Sequence, residues 1–169
     1  MNTVGLNRFR GINWQALVML ALGFWLSASL VFDCLIIPGL LSAGMMEESG
    51  FASASYLIFG TFNRVELLCA GVVLASTLVF GYRQNLSTIK ISKSVGIAGF
   101  LMAIASCYTY VITPQMSALG MSLNSFNDGE VLGNSMATMH IIYWVLEASK
   151  LILGTALLNK FYRSSCSLI

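Results

Sequence analysis

Four apolar runs, each long enough to cross a bilayer, leave this chain few ways to fold. They extend from about Trp14 to Ile37, Tyr56 to Tyr82, Val95 to Thr113 and Met136 to Leu158. At about 1.5 Å per residue, about 20 residues suffice for a hydrocarbon core of about 30 Å. Inside lipid every backbone N–H and C=O must be satisfied within the protein, so runs of this length become helices rather than open strands. The composition agrees: 57% of residues are hydrophobic, 9% are charged and the mean hydropathy is +0.79. A soluble domain carries about 45–50% apolar and about 25% charged residues. The expected fold is all-α, an integral membrane four-helix bundle that takes in the whole chain, 1–169, as one domain.

Pro38-Gly39 is expected to close the first run, because proline breaks a helix interior, and Pro114 follows the third, where a proline can also open a short new helix. Two prolines, and four cysteines at 34, 69, 107 and 166 with no C-x-x-C pair, exclude collagen-like, disordered and disulfide-stapled chains. Arg8 and Arg10 ahead of the first run, with Ser27-Ala28-Ser29 inside it, are the outline of a secretory signal. The apolar stretch continues past the about 7–15 residues of a cleavable signal, so a retained helix is expected.

The charges sort by segment. Arg8 and Arg10, then Arg83, Lys90 and Lys93 between the second and third runs, then Lys160 and Arg163 after the fourth, are all basic. Glu47, Glu48, Asp128 and Glu130 fill the two alternate loops and are all acidic. By the positive-inside rule both termini are cytoplasmic and the bundle runs up-down-up-down. A net charge of +2 divided in this way is a topology signal, and it gives no reason to expect nucleic acid as a partner. Membrane lipids are the expected surroundings.

Five charges remain within the spans: Asp33, Arg64, Glu66, Glu147 and Lys150. Each costs at least about 2.5–3.5 kcal/mol at a helix centre and is expected to face the bundle interior or a cavity. Counted along the helices, all but Lys150 fall in the outer half, together with Asn63 and His140. At 100° per residue, His140, Tyr143, Glu147, Lys150 and Gly154 form one polar stripe on the fourth span. Glu147 and Lys150 are spaced to pair. Asn63, Glu66, Ala70 and Thr77 share a face of the second span, and Ser29 and Asp33 are four apart on the first.

The candidate cluster is therefore Asp33, Asn63, Arg64, Glu66, His140, Tyr143, Glu147 and Lys150. Three readings fit it: a hydrogen-bonded packing knot between helices, a proton or cation path through Glu66, His140 and Glu147, or a site for a ligand or a partner's polar group. His140, the only histidine, could ligate haem with a methionine partner, or the magnesium of a chlorophyll; bonding to a carboxylate or backbone group is the commoner role. No metal site is expected. No nucleophile elbow, zincin, P-loop or dinucleotide fingerprint occurs, so no catalytic residue is assigned and enzymatic activity is not expected.

Gly71 with Ala75, and Gly99 with Ala103, have the spacing of close helix packing. Pro114 to Leu123 reads as a short interfacial helix and Asn127-Asp128-Gly129 as a turn. Trp14 and Tyr82 sit where a cytoplasmic aromatic belt is expected.

Several short motifs carry a family resemblance: Phe32-Asp33 with Pro38, the run Phe62-Asn63-Arg64-Val65-Glu66-Leu67-Leu68, then Thr113-Pro114-Gln115-Met116, and His140-x6-Glu147-x2-Lys150. Together they resemble the domain of unknown function 4149 family, the transmembrane protein 205-like proteins, from about Gly23 to Lys160. The stretch Phe62 to Ala70 is most similar to the cyanobacterial branch. The resemblance implies a four-helix membrane protein without an established enzyme activity, in a thylakoid or plasma membrane. Two functions are carried forward. One is a non-enzymatic accessory or assembly protein of a larger membrane complex, in that setting a photosystem II assembly intermediate. The alternative is a small oligomeric transporter or proton-linked carrier using Glu66, His140 and Glu147.

Overall fold

The computed structural model describes residues 14–45, 50–83, 88–125 and 129–166. Every regular element among them is helical. Helix α1 (Trp14–Val31) passes through a π-helical turn (Phe32–Ile36) into α2 (Ile37–Ser42). Helix α3 covers Phe51–Arg83, and α4 (Thr88–Cys107) passes through a second π-helical turn (Tyr108–Ile112) into α5 (Thr113–Ser125). Helix α6 covers Gly129–Cys166. Four stretches are long and apolar enough to cross a membrane: Trp14–Leu40, Ser53–Phe80, Lys93–Met121 and Asn134–Ser164.

The two prolines do not end their spans as expected. Pro38 and Pro114 each lie two residues beyond a π-helical turn, closed by the Ile37 N–H on the Phe32 carbonyl and the Thr113 N–H on the Tyr108 carbonyl. A proline ring collides with the carbonyl four residues back, here on Cys34 and Tyr110, and both lie inside the widened turns. The extra residue per turn makes room for the ring, so the helix continues. The first span therefore runs on to Ser42, and Gly44, at φ +68°, follows in a left-handed conformation that favours glycine. The expected short helix over 114–123 is the continuation of the third span. Of the expected turn, Asn127 and Asp128 lie outside the described residues, and Gly129 opens α6.

Helix α1 packs on α3 and α6, α3 on α4 and α5, and α6 on α4 and α5. At one end, the Gln15 carboxamide donates to the Phe161 carbonyl (2.9 Å), Phe80 and Phe161 meet edge to face (5.4 Å), and Lys160 donates to Ser94. The start of α1, the end of α3, the start of α4 and the end of α6 are thus neighbours. The half of the bundle above them holds an apolar core that includes Val18, Leu22, Val73, Leu101 and Leu157.

Large apolar residues also face outward, among them Leu20, Leu68 and Ile152 at about two-thirds exposure or more. Helices that are apolar all round belong in a buried or membrane setting. The small-residue pairs expected to pack helices do not do so within this chain. A Cβ at Gly71 or Gly99 would meet nothing within 4 Å, and Ala75 and Ala103 are exposed. The close approach is at Gly154, where a Cβ would stand 2.8 Å from Leu26 Cδ2.

Candidate functional site

Residues four apart on a helix lie on one face, and Trp25 and Ser29 of α1 with Asp33 of the π-helical turn that follows it are presented in this way. All three are buried. Facing them, α3 supplies Glu66 and α6 supplies Tyr143, Glu147 and Lys150. Glu66 Oε1 accepts from Trp25 Nε1 (3.0 Å), Ser29 Oγ (3.0 Å) and the Lys150 ammonium. Lys150 also pairs with Glu147 Oε2 at 2.8 Å, and the Tyr108 hydroxyl donates to that same oxygen at 3.1 Å. The Tyr143 hydroxyl donates to Asp33 Oδ1 at 2.6 Å. The Tyr108 ring centre lies 5.3 Å from the Lys150 nitrogen, within cation–π range. Tyr108 stands on the second π-helical turn and Asp33 on the first. The widened turns that accommodate the prolines therefore carry members of this network.

Glu66, Glu147 and Lys150 are each 1% exposed and Asp33 7%. Removing an ion from water costs several kcal/mol even after relaxation, and only good pairing offsets it. Here one ammonium faces three carboxyl groups. Asp33 Oδ2 and Glu147 Oε1 are buried and meet no donor among the described residues. Toward the apolar half of the bundle lie Leu22, Ala70 and Val73, within about two turns of Trp25 and Glu66 on the same helices.

On its other side the network borders a cleft of about 340 Å³, whose wall is mostly apolar and includes Ile37, Phe51, Phe59, Met116 and Trp144. Its polar lining includes Asn63, Thr113, Ser117, His140 and Tyr143. The Asn63 carboxamide donates to Thr113 Oγ1 at 2.6 Å, and Phe32 stacks on Phe62 at 4.3 Å and meets Phe59 at 5.1 Å, fastening the first π-helical turn to α3 beside the cleft. Tyr143 belongs to both features: it lines the cleft and its hydroxyl holds Asp33.

A single level can be counted along the four long helices. About 20 residues, or about 30 Å, from Trp14, Arg83, Lys93 and Lys160 lead to Cys34, Asn63, Thr113 and His140, these four all within the apolar stretches. The cleft opens at and beyond that level.

Of the residues singled out from sequence, Asp33, Glu66, Tyr143, Glu147 and Lys150 meet in one network, and Asn63 lies next to it on the cleft. Arg64 is exposed because it is one position, about 100°, round α3 from the buried Asn63. His140 is exposed too; it lines the cleft and has no place in the network. The sequence reading passed over Trp25 and Tyr108. Trp25 could have been found from its spacing with Ser29 and Asp33, but Tyr108 reaches Glu147 through a turn whose widening no local pattern announces. Cys34 is exposed and Cys69 and Cys107 are partly buried, all as free thiols. Among the described residues no group of three or more His, Cys, Asp or Glu is placed to hold a metal ion. Compared with known proteins, the chain matches no family model, no curated protein and no solved structure.

Proposed function

We propose that this chain is a non-enzymatic integral membrane accessory protein, which engages a larger membrane complex through the cleft at the outer end of its bundle. The observation that carries the reading is the position of the cleft. It stands about one hydrocarbon thickness from the basic end of the bundle, where lipid tails give way to headgroups, and it pairs an apolar wall with a polar floor.

The orientation follows from the charges. Lys93, Lys160 and Arg163 lie at the end where α1 begins and α6 finishes, so that end is cytoplasmic, the helices run up-down-up-down and both termini are inside. Membership of the domain of unknown function 4149 family is proposed on the motifs quoted above. The cyanobacterial thylakoid or plasma membrane, with a photosystem II assembly intermediate as the complex, rests on that resemblance alone.

A photo-crosslinking residue at Met116, in the cleft, and another at Ile152, on the outer surface of the inner half, test this in native membranes. The expected result is a discrete heterologous product from Met116, co-migration with a larger complex in mild detergent, and release from that complex by Ser117→Trp. Migration only as a free monomer or homo-oligomer refutes the proposal.

The excess of carboxyl groups over lysine in the network favours a second reading, a proton-linked carrier working as an oligomer. The apolar core on the inner side of the network means that such a carrier would have to open there. Proton-coupled flux into liposomes, abolished by Glu147→Gln, would support it, and absence of flux with the unaltered chain would refute it.

A further inference from the structure

Two oxygens of the ionic network are left over once its hydrogen bonds are assigned. The Lys150 ammonium is committed to Glu66 and to Glu147 Oε2. The Tyr108 hydroxyl serves that same Oε2, the Tyr143 hydroxyl serves Asp33 Oδ1, and Trp25 and Ser29 serve Glu66. These are the donors that reach the carboxyl groups from α1, the second π-helical turn and α6; α3 contributes only the carboxylate of Glu66. None reaches Asp33 Oδ2 or Glu147 Oε1, although both atoms are buried. The two side chains are more than nine-tenths buried, and Tyr143, whose hydroxyl holds Asp33, stands one helical turn from Glu147 on the same face of α6, so the two carboxyl groups flank it.

We propose that Asp33 and Glu147 hold one proton between them, bonded to one leftover oxygen and donated to the other, so that the pair is a proton-binding site in the outer half of the bundle. One proton satisfies both atoms at once. It also lowers the excess of negative charge in the network from two to one, and two carboxylates this close repel when both are ionised. A metal ion is another occupant that an acid pair could take. A hard cation needs six or so oxygen ligands, and among the described residues no cluster of three or more potential ligands assembles. A proton needs only the two oxygens present.

Tyr143 connects this site to the cleft. A cleft occupant that accepts a hydrogen bond from the Tyr143 hydroxyl withdraws it from Asp33, so occupancy of the cleft and hold on the proton are linked, and by reciprocity each affects the other. The proton site goes beyond the accessory reading and does not depend on it.

Infrared spectroscopy of the full chain, purified in an ester-free detergent at neutral pH, reads the proton directly as the C=O stretch of a protonated carboxyl group. The unaltered chain is expected to show one such band that shifts in D2O. Asp33→Asn and Glu147→Gln should each abolish it, while Glu66→Gln leaves it in place. Absence of the band from the unaltered chain overturns the proposal without any variant being needed. Persistence of the band in either Asp33→Asn or Glu147→Gln, or its loss in Glu66→Gln alone, overturns it as well. The measurement needs no partner, so it stands or falls separately from the accessory function.

Discussion

Replacing Lys150 by methionine keeps a long unbranched side chain and removes the one ammonium in the network. Lys150 is bonded to Glu66 and, at 2.8 Å, to Glu147, and it lies 5.3 Å from the Tyr108 ring centre. Two charge-assisted hydrogen bonds at about 1.5–3 kcal/mol each, with a desolvated cation–π contact of about 2 kcal/mol, give a gross loss of about 5–8 kcal/mol. Proton uptake limits the net loss. A glutamate stranded by the change can become neutral, which at pH 7 costs a group of ordinary acidity, near 4.3, about 3.7 kcal/mol. The expected destabilisation is therefore about 4 kcal/mol at pH 7, in keeping with about 3–5 kcal/mol for other broken buried pairs. It should shrink by about 1.4 kcal/mol at pH 6. The sign follows from proton counting: the folded variant binds a proton that its unfolded chain lacks at neutral pH, so its stability falls as pH rises. Unfolding in mixed micelles, titrated with denaturing detergent and followed by circular dichroism, measures the difference. Adding Glu66→Gln to Lys150→Met should restore part of the loss, because the stranded charge goes with it. A loss below about 1 kcal/mol, a loss independent of pH, or strict additivity in the double variant would refute the reasoning.

Tyr143→Phe removes the only described donor to Asp33 Oδ1 and should cost about 1–3 kcal/mol in the same unfolding assay. At Gly154 an added Cβ meets Leu26 Cδ2 at 2.8 Å, so overpacking of about 1–3 kcal/mol opposes a helix gain of about 1 kcal/mol. In a Leu26→Ala background the clash is gone, and Gly154→Ala should stabilise by about 1 kcal/mol. His140→Ala should change stability by no more than about 0.5 kcal/mol, because the side chain is exposed and forms no ion pair among the described residues. The visible spectrum of the purified protein should likewise be unchanged by it; a chlorophyll or haem band lost in His140→Ala would make His140 an axial ligand instead.

Much of the candidate site was legible from spacing. Glu147 and Lys150 three apart, Ser29 and Asp33 four apart, and Asn63 and Glu66 on one face are consequences of helical geometry, and the structure turns each of these sets inward. Arg64 joins them by depth along its helix alone, whereas His140 stands at the edge of the α6 stripe. Near the edge of a stripe, a step of about 100° separates a buried residue from an exposed one.

The sequence by itself determined the helices, since lipid leaves runs of this length no other way to satisfy their backbone. Through the segregation of basic and acidic residues it also carried the orientation we propose. Only the tertiary structure decided how the two prolines are accommodated, which donors serve which oxygens, and that two carboxylate oxygens remain without one. Length and charge are properties of single segments, and a pattern within one segment suffices to express them. Each of the others depends on atoms from several helices meeting at distances of about 3 Å. The path from Tyr108 to Glu147 and from Tyr143 to Asp33 exists only once the bundle has closed around it.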